Sequence, residues 1–460
     1  MSFVHLHNHS YHSLLDGVPS PEDYAKRAAE LGHRYLAITD HGNIDASLSL
    51  QSSCKKLGIT PVFGCEFYIV DDISVKERGE KRKHITVLAK NKIGWKNILS
   101  MISQSYIKGH YYRPRIDPYM LTGHLDGLII LSGCALTFLD SDWGPRAMGN
   151  LFENGFPRED FYLEVMPHQF DIQVEANKMC VRIAEEQGLS LIATNDNHYC
   201  LKGDDRSHEV LLAVQTKSKM SDPTRWKFID TSFYFKTRTE MAIGFREQGV
   251  LKYEQYMQAI KNTVEVAEKC RDFSEIEKRE ICLPRVPEFK DKDQISVLKE
   301  LCEKGFKEKI TAEDKDESVY RARLKEELEL IIKQDFVEYF LIVWEVIQWC
   351  EKEDIMTGPG RGSSAGSLVC YLLNITKVDP IEYGLIFARF INVARQDLPD
   401  IDSDFEDKKR PLIKKHLQKI YGEWNVSSIS TFSVMRGKSA LRDVSRVFDI
   451  SLFDVNKACN

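Results

Sequence analysis

The strongest constraint on the fold lies in the order of apolar runs over the first 200 residues. Short β-prone runs alternate with segments of helical spacing: Phe3–His9, Tyr35–His41, Pro61–Val70, His84–Lys90, Gly127–Cys134, Phe161–Met166 and Leu189–His198. Strands separated by helices predict parallel pairing through crossover helices. Seven such units predict a barrel rather than an open sheet, with functional residues at the C-terminal strand ends. The first connection is well marked. Ser20 is placed to cap a helix, Pro21 suits its first position, Asp23 completes a capping box and Gly32 stops it. Tyr24, Ala28 and Leu31 form its apolar face. Gln169–Gln187 reads as another helix, ended by Gly188.

After about residue 207 the pattern is less regular. The two prolines of ICLPRVPEF, residues 281–289, predict a linker. Helices are expected over Val319–Lys333 and Phe336–Glu351, then a Gly/Ser turn, a further helix and an acidic strand near Pro399–Phe405. The chain has 460 residues, 43% hydrophobic and 29% charged, which excludes a disordered chain and a membrane-embedded one. The start, MSFVHLHNHS, lacks the basic opening and apolar core of a signal peptide, so a cytoplasmic location is expected. Eleven cysteines without a CxxC pair read as reduced thiols rather than a disulfide scaffold. The net charge of -6 is unevenly spread: residues 406–460 carry 11 Lys/Arg against 6 Asp/Glu. A basic tail on an acidic body fits a polyanion track beside carboxylate-rich metal sites, or an arbitrary surface gradient.

In HLHNHS, His5, His7 and His9 alternate, and period two on a strand puts all three on one face. His-x-His on a rigid element suits a metal. Asp16, His41, Glu66, His84, Cys134, Asp196 and His198 are further donors, most of them at or near strand ends, and Asp196-x-His198 repeats the alternation. Any one of these alone is more often a hydrogen-bonded core or surface residue; the spread over successive strands is what carries the metal reading. His12, His33, His110, His124, His168, His208 and His416 lack such partners and read as structural.

The segments HLHNHS, LLDG, AITDHGN, GCEFY, HITVLAKN, LSGC and NDNHY together resemble the polymerase-and-histidinol-phosphatase (PHP) domain of bacterial replicative DNA polymerase III alpha subunits. The resemblance implies an α/β fold, a PHP-type distorted (β/α)7 barrel, binding up to three divalent metals. Position by position, the implied ligands are His7, His9, Asp16, His41, Glu66, His84, Cys134, Asp196 and His198. Such a donor set suits Zn²⁺ or Mn²⁺. The implied activity is metal-dependent phosphoester hydrolysis, a 3′–5′ exonuclease that proofreads.

GPGRGSSAGSLV, residues 358–369, is a flexible turn running into a helix, where backbone N–H groups favour an anion. It lacks the lysine of a P-loop. In LPDIDSDF, Asp400, Asp402 and Asp404 alternate, so on a strand their carboxylates share a face, as a metal site or a solvated acidic edge. These stretches, with DFVEYFLIVWEVIQW, NITKVDPIEYGLIFARFIN and KSALRDVSRV, resemble the palm of the same polymerase family, a polymerase-beta-like nucleotidyltransferase of α+β type. By resemblance, Asp400 and Asp402 are catalytic and hold Mg²⁺, with Asp404 ranked below them. Arg361, Gly362, Ser363, Ser364, Arg389 and Arg395 meet a dNTP. The basic segments carrying Lys408, Lys409, Arg410, Lys438 and Arg442 contact the backbone of primer-template DNA, or form merely charged helix faces.

The implied division is a PHP domain over 1–285, a first palm segment over 286–430 and the beginning of a thumb over 431–460. The third palm aspartate, thumb, fingers and clamp-binding region are expected beyond Asn460, as partners together with replisome proteins, and no membrane is expected. Three functions stay open: the N-terminal part of a polymerase, a stand-alone PHP phosphoesterase or nuclease, and a non-catalytic module that binds DNA or the replisome.

Overall fold

The computed structural model describes residues 3–79, 82–277, 282–313, 315–392 and 398–459. The chain forms two compact units, residues 1–278 with 434–460, and residues 279–433.

The first unit is built on seven strands: β1 (Tyr35–Ile38), β2 (Thr60–Ile69), β3 (Lys83–Ala89), β4 (Arg115–Ile116), β5 (Leu128–Leu131), β6 (Phe161–Val165) and β7 (Ser190–Ala193). Their order is β1-β2-β3-β5-β6-β7, with β4 paired to β2. The uniformly parallel sheet expected from the sequence is not what forms. β2/β3 and β3/β5 are antiparallel, whereas β1/β2, β2/β4, β5/β6 and β6/β7 are parallel. Among the described residues no helix separates β2 from β3, and the two pair antiparallel rather than through a crossover.

The run Phe3–His9 is extended but is not a regular strand. It closes the sheet by bonding both edges: Ala37 and Thr39 N–H donate to the carbonyls of His5 and Asn8, while Asn197 and His9 N–H donate to the carbonyls of His7 and Asn197. Side-chain amides reinforce this seam, with Asn8 Nδ2 on the Ala37 carbonyl and Asn197 Nδ2 on Asn8 Oδ1. Val4, Leu6, Ala37, Val62, Leu88, Ile129 and Ile192 meet in one buried cluster that also takes in Val266 and Cys270. Burying each large aliphatic side chain contributes about 1.5–3 kcal/mol.

Helices α1 (Pro21–Glu30), α2 (Ser47–Leu57), α3 (Lys92–Ile107), α4 (Pro118–Thr122), α5 (Gly144–Glu153), α6 (Asp171–Gln187), α7 (Asp205–Thr216), α8 (Arg238–Gln248) and α9 (Tyr253–Lys269) complete this part. The reciprocal Ser20–Asp23 capping box opens α1, and left-handed Gly188 ends α6.

The second unit contains α10 (Gln294–Phe306), α11 (Glu317–Lys333), α12 (Val337–Lys352), α13 (Leu368–Leu372) and α14 (Arg410–Tyr421). Leu298, Phe306, Leu324, Phe340, Leu341, Leu368 and Val369 are in its core. The expected linker instead joins this core: Val286 and Phe289 are buried. The expected acidic strand forms no ladder among the described residues. It pairs through two isolated antiparallel bridges, Thr357 with Phe405 and Arg361 with Asp402. The last segment, with α15 (Gly437–Val447) and α16 (Leu452–Cys459), packs in the first unit, where Met220 N–H donates to the Val447 carbonyl. No helix among the described residues is long and apolar enough to cross a membrane.

Candidate metal centre

The closing segment and the strand ends bring the nine expected ligands into one neighbourhood. His7 Nε2 lies 3.1 Å from His9 Nε2, 3.3 Å from Glu66 Oε1 and 3.3 Å from Asp196 Oδ1. His9 Nε2 is 3.0 Å from Asp196 Oδ1. His41 spans the site, with Nδ1 2.6 Å from Glu66 Oε2 and Nε2 3.2 Å from Asp16 Oδ2. His84 Nδ1 stands 3.1 Å from Glu66 Oε1 and 3.5 Å from Cys134 Sγ, and His198 Nε2 is 3.8 Å from Asp16 Oδ1. Three overlapping triads have donor atoms spaced to hold an ion: His9–His41–His198, His7–His9–Glu66 and His41–Glu66–His84.

Hydrogen bonding from behind turns three imidazoles the same way. Nδ1–H of His7 donates to Glu164, of His9 to Ser13 Oγ, and of His198 to the Asp196 carbonyl. Each then turns Nε2 into the cleft, the nitrogen a metal would take once any proton there has left. Ser13 Oγ in turn donates to buried Asp40, which also accepts from Ser10.

The donors fit divalent cations. Both Glu66 oxygens, Asp16 Oδ1, Asp196 Oδ1 and His41 Nδ1 are buried without a hydrogen-bond partner. His41 Nδ1 approaches Glu66 Oε2 to 2.6 Å outside hydrogen-bond geometry, so neither atom satisfies the other. Buried polar atoms left bare are rare, and five in one cleft call for a cation.

The electrostatics agree. Burial resists charge on Glu66, yet His84, His7 and His41 hold its carboxyl well below the usual range. Asp16 and Asp196 are likewise held low against burial, Asp16 by His41 and His198 and Asp196 by His7 and His198. Burial also resists protonation of His7, but Glu164, Glu66 and Asp196 together raise its pKa well above the ordinary value. Burial, with His41 and His198 adding to it, pushes His9 down to about 3. Burial raises the Cys134 thiol, and neighbouring carboxylates add to the effect.

Two expectations change here, and one residue is added. His5 does not join His7 and His9, because the segment lacks regular period-two geometry. Its ring packs on Phe235, and its nitrogens pair with the Lys236 carbonyl and Asn197. His208, read as structural, lies buried beside the site, 4.0 Å from Asp16 Oδ1 with its own Nε2 unpaired. Glu164 went unrecognised altogether, although it orients His7 and accepts from Gly133 N–H and Thr194. Its signal was present: a carboxylate inside the otherwise apolar strand FYLEV.

The second constellation is exposed and self-neutralised. Arg361 Nη2 lies 3.0 Å from Asp402 Oδ1 and its Nε 3.2 Å from Asp404 Oδ1. Arg361 therefore already sits between two carboxylates. Asp400 is exposed and outside this pairing. Gly362 has φ +69°, and a Cβ there would lie 2.9 Å from Asp402 Oδ2. Ser364 is buried and donates to the Arg361 carbonyl, while Ser363 is half-buried. Arg389 is exposed, and Arg395 lies outside the described residues.

The turn is anchored from below by Glu327 of α11, another residue the sequence reading passed over. Glu327 is fully buried and accepts from Leu368 N–H, Val369 N–H, Ser367 Oγ and Arg323. It lies on the buried stripe Tyr320–Leu324–Glu327–Ile331, and a carboxylate at that spacing was the available signal. Lys408 and Arg410 are exposed at the start of α14, and Lys409 reaches Glu406 and the Asp354 carbonyl. Lys438 and Arg442 are exposed on α15 of the first unit, with Arg442 donating to Asn456.

Comparison with known proteins matches residues 5–168 to the PHP domain family and residues 296–460 to the bacterial DNA polymerase III alpha NTPase domain. Asp196 and His198 lie outside the first match and join its histidines only in space. DNA polymerase III subunit alpha of Treponema pallidum is 37% identical over 466 residues, covering 99% of this chain and 39% of that protein. The Borreliella burgdorferi subunit is 36% identical over 480 residues, covering 99% and 40%. The Helicobacter pylori (strain ATCC 700392 / 26695) subunit is 34% identical over 479 residues, covering 98% and 39%. The chain thus spans about two fifths of the length of these relatives.

Proposed function

Because this chain belongs to the DNA polymerase III alpha family, carrying its PHP domain and the domain that follows, we propose that the first unit is a metal-dependent phosphoesterase acting as a 3′–5′ exonuclease. One observation carries this reading: the convergence of nine donor residues with five bare buried polar atoms in one cleft. Divalent cations bound there, Zn²⁺ or Mn²⁺ by donor type, would lower the pKa of water and stabilise both oxygens of a phosphoester displacement. His7, His9, Asp16, His41, Glu66, His84, Cys134, Asp196 and His198 would hold the cations. Glu164, Ser13 and the Asp196 carbonyl keep the imidazoles in the tautomer that presents Nε2.

For the second unit the reading is a polymerase palm segment. Asp400 and Asp402 would hold Mg²⁺ for attack of a primer 3′-oxygen on a dNTP, with Arg361, Gly362, Ser363, Ser364, Arg389 and Arg395 near the triphosphate. In this reading Arg361 leaves Asp402 and Asp404 when cations and nucleotide arrive, exchanging carboxylate partners for phosphate. Residues 1–285, 286–430 and 431–460 would serve as PHP domain, palm segment and thumb beginning. DNA, the remaining polymerase domains and replisome proteins would be the partners, in the cytoplasm.

The test is metal analysis with nuclease and primer-extension assays on one preparation. Metal-dependent 3′–5′ hydrolysis that disappears in a folded His7→Ala variant supports the phosphoesterase. Unchanged hydrolysis in that variant defeats it.

A further inference from the structure

The metal cleft has a wall as well as a floor. A cavity of about 260 Å³ opens onto Asp16, His41, His84, Cys134, Asp196 and His198. Its other lining is largely apolar, including Leu136, Ile172, Trp226, Phe228 and Ile229. All of these but Phe228 are exposed. Apolar side chains gathered at the mouth of a charged cleft mark a surface that a ligand covers.

The aromatic members form a series leading out from the ligands. Phe228 meets His198 and His208 edge-on, each at 4.8 Å, and Trp226 meets Phe228 edge-on at 5.5 Å. Trp226 is 53% exposed. The arm bearing them is fixed at both ends: Arg225 pairs with Glu209 of α7, and Asp230 and Ser232 hold His168. Trp226 is therefore held at the mouth by its supports.

We propose that this wall stacks the 3′-terminal base of a single DNA strand, setting its last phosphodiester on the metal floor. The inference rests on the phosphoesterase reading and adds the substrate form. The wall asks for a flat apolar face and the floor for an adjacent phosphoester; an unpaired terminal nucleotide has both. A sugar phosphate lacks the flat face, and a paired end keeps its base inside the helix stack. Lys227 at the cavity's edge puts a positive charge near the backbone. Stacking without hydrogen-bond readout accepts any of the four bases.

The test uses the full chain and two single-stranded trinucleotides, one ending in a normal 3′ nucleotide and one in an abasic 3′ residue. Binding by fluorescence anisotropy without metal and kcat/KM with Mn²⁺ are both measured. The expected result is about a tenfold preference for the base-bearing end, the scale of one base–aromatic stack. Trp226→Ala brings the ratio close to one, and Trp226→Phe restores most of it, with circular dichroism confirming the fold. A wild-type ratio near one, or a ratio unmoved in Trp226→Ala, overturns the proposal. Binding that discriminates without any hydrolysis upholds the wall and defeats the phosphoesterase reading, so the two failures are separable.

Discussion

The barrel cleft and the glycine-serine turn both gather acidic side chains, but they manage the repulsion in opposite ways. In the cleft, Glu66 and Asp196 are buried among imidazoles whose free nitrogens point inward, and several oxygens have no hydrogen-bond partner. At the turn, half-buried Asp402 and exposed Asp404 share one arginine. A buried set of acceptors is preorganised for cations and costly without them. An exposed set with its own counter-ion is stable as it stands, and a cation must displace Arg361 to enter. The difference teaches that carboxylates can stand bare or neutralised, according to burial and the nearest charge.

The sharpest break of this comparison removes a cleft ligand. His7→Ala or Asp196→Asn is expected to lower metal-dependent hydrolysis by more than about 100-fold, beyond the ~10–100-fold typical of a supporting partner. Equal hydrolysis in wild type and both variants would mean that the cleft is not where the chemistry occurs. Glu164→Gln probes that support directly: metal affinity by titration should fall about 10–100-fold, since the amide holds the His7 ring with less basicity. An unaltered affinity would reduce Glu164 to a packing residue.

On the other side, Glu327→Ala strips the partners from two buried N–H groups and from Arg323. It should cost about 3 kcal/mol in urea unfolding of the second unit. A loss below about 1 kcal/mol would show that the turn does not depend on this anchor. Arg361→Ala should change stability by less than about 1 kcal/mol, because its pairs are exposed. It should nevertheless strengthen Mg²⁺ binding near Asp402; weakened binding would contradict the counter-ion role.

The smallest expected effect is on pH dependence in the metal-free chain. Burial holds His33 down to about 4 and, with help from neighbouring imidazoles, His9 and His208 down to about 3. His5 is lowered as well. The unfolded imidazoles take protons below about pH 6.5 that the folded ones refuse, so these four weaken the fold as pH drops from 6.5 toward 4. His7 and His41 are raised and oppose them, with stability that fades only as pH rises through their folded values. The net expectation is a first unit that loosens on mild acidification before residues 279–433, which hold one histidine. Hydrogen exchange resolved by segment reads this, and earlier loosening of the second unit would reverse the assignment.

Much of the cleft was legible in advance because metal-ligand chemistry limits the residue types, and strand ends limit where they occur. The donor residue types, the capping box of α1 and the glycine stop of α6 are local in this sense. Supporting residues were harder to see. Glu164 and Glu327 become visible only as charges on faces that should be apolar, and His208 only once α7 folds over the cleft. Strand direction was misread for β3, which alone runs against the others, because apolar alternation is the same either way along a strand.

Sequence alone determined which donors the chain possesses, where its main helices begin and end, and the family to which it belongs. These follow from short-range chemistry: capping geometry, side-chain period and ligand type. Tertiary structure decided that His5 turns away while His7 and His9 turn in, that the N-terminal segment closes the sheet against Asn197, and that Arg361 occupies the aspartates. Each of these depends on groups distant in the chain meeting under burial, where an unpaired polar atom is costly and the nearest partner sets its role.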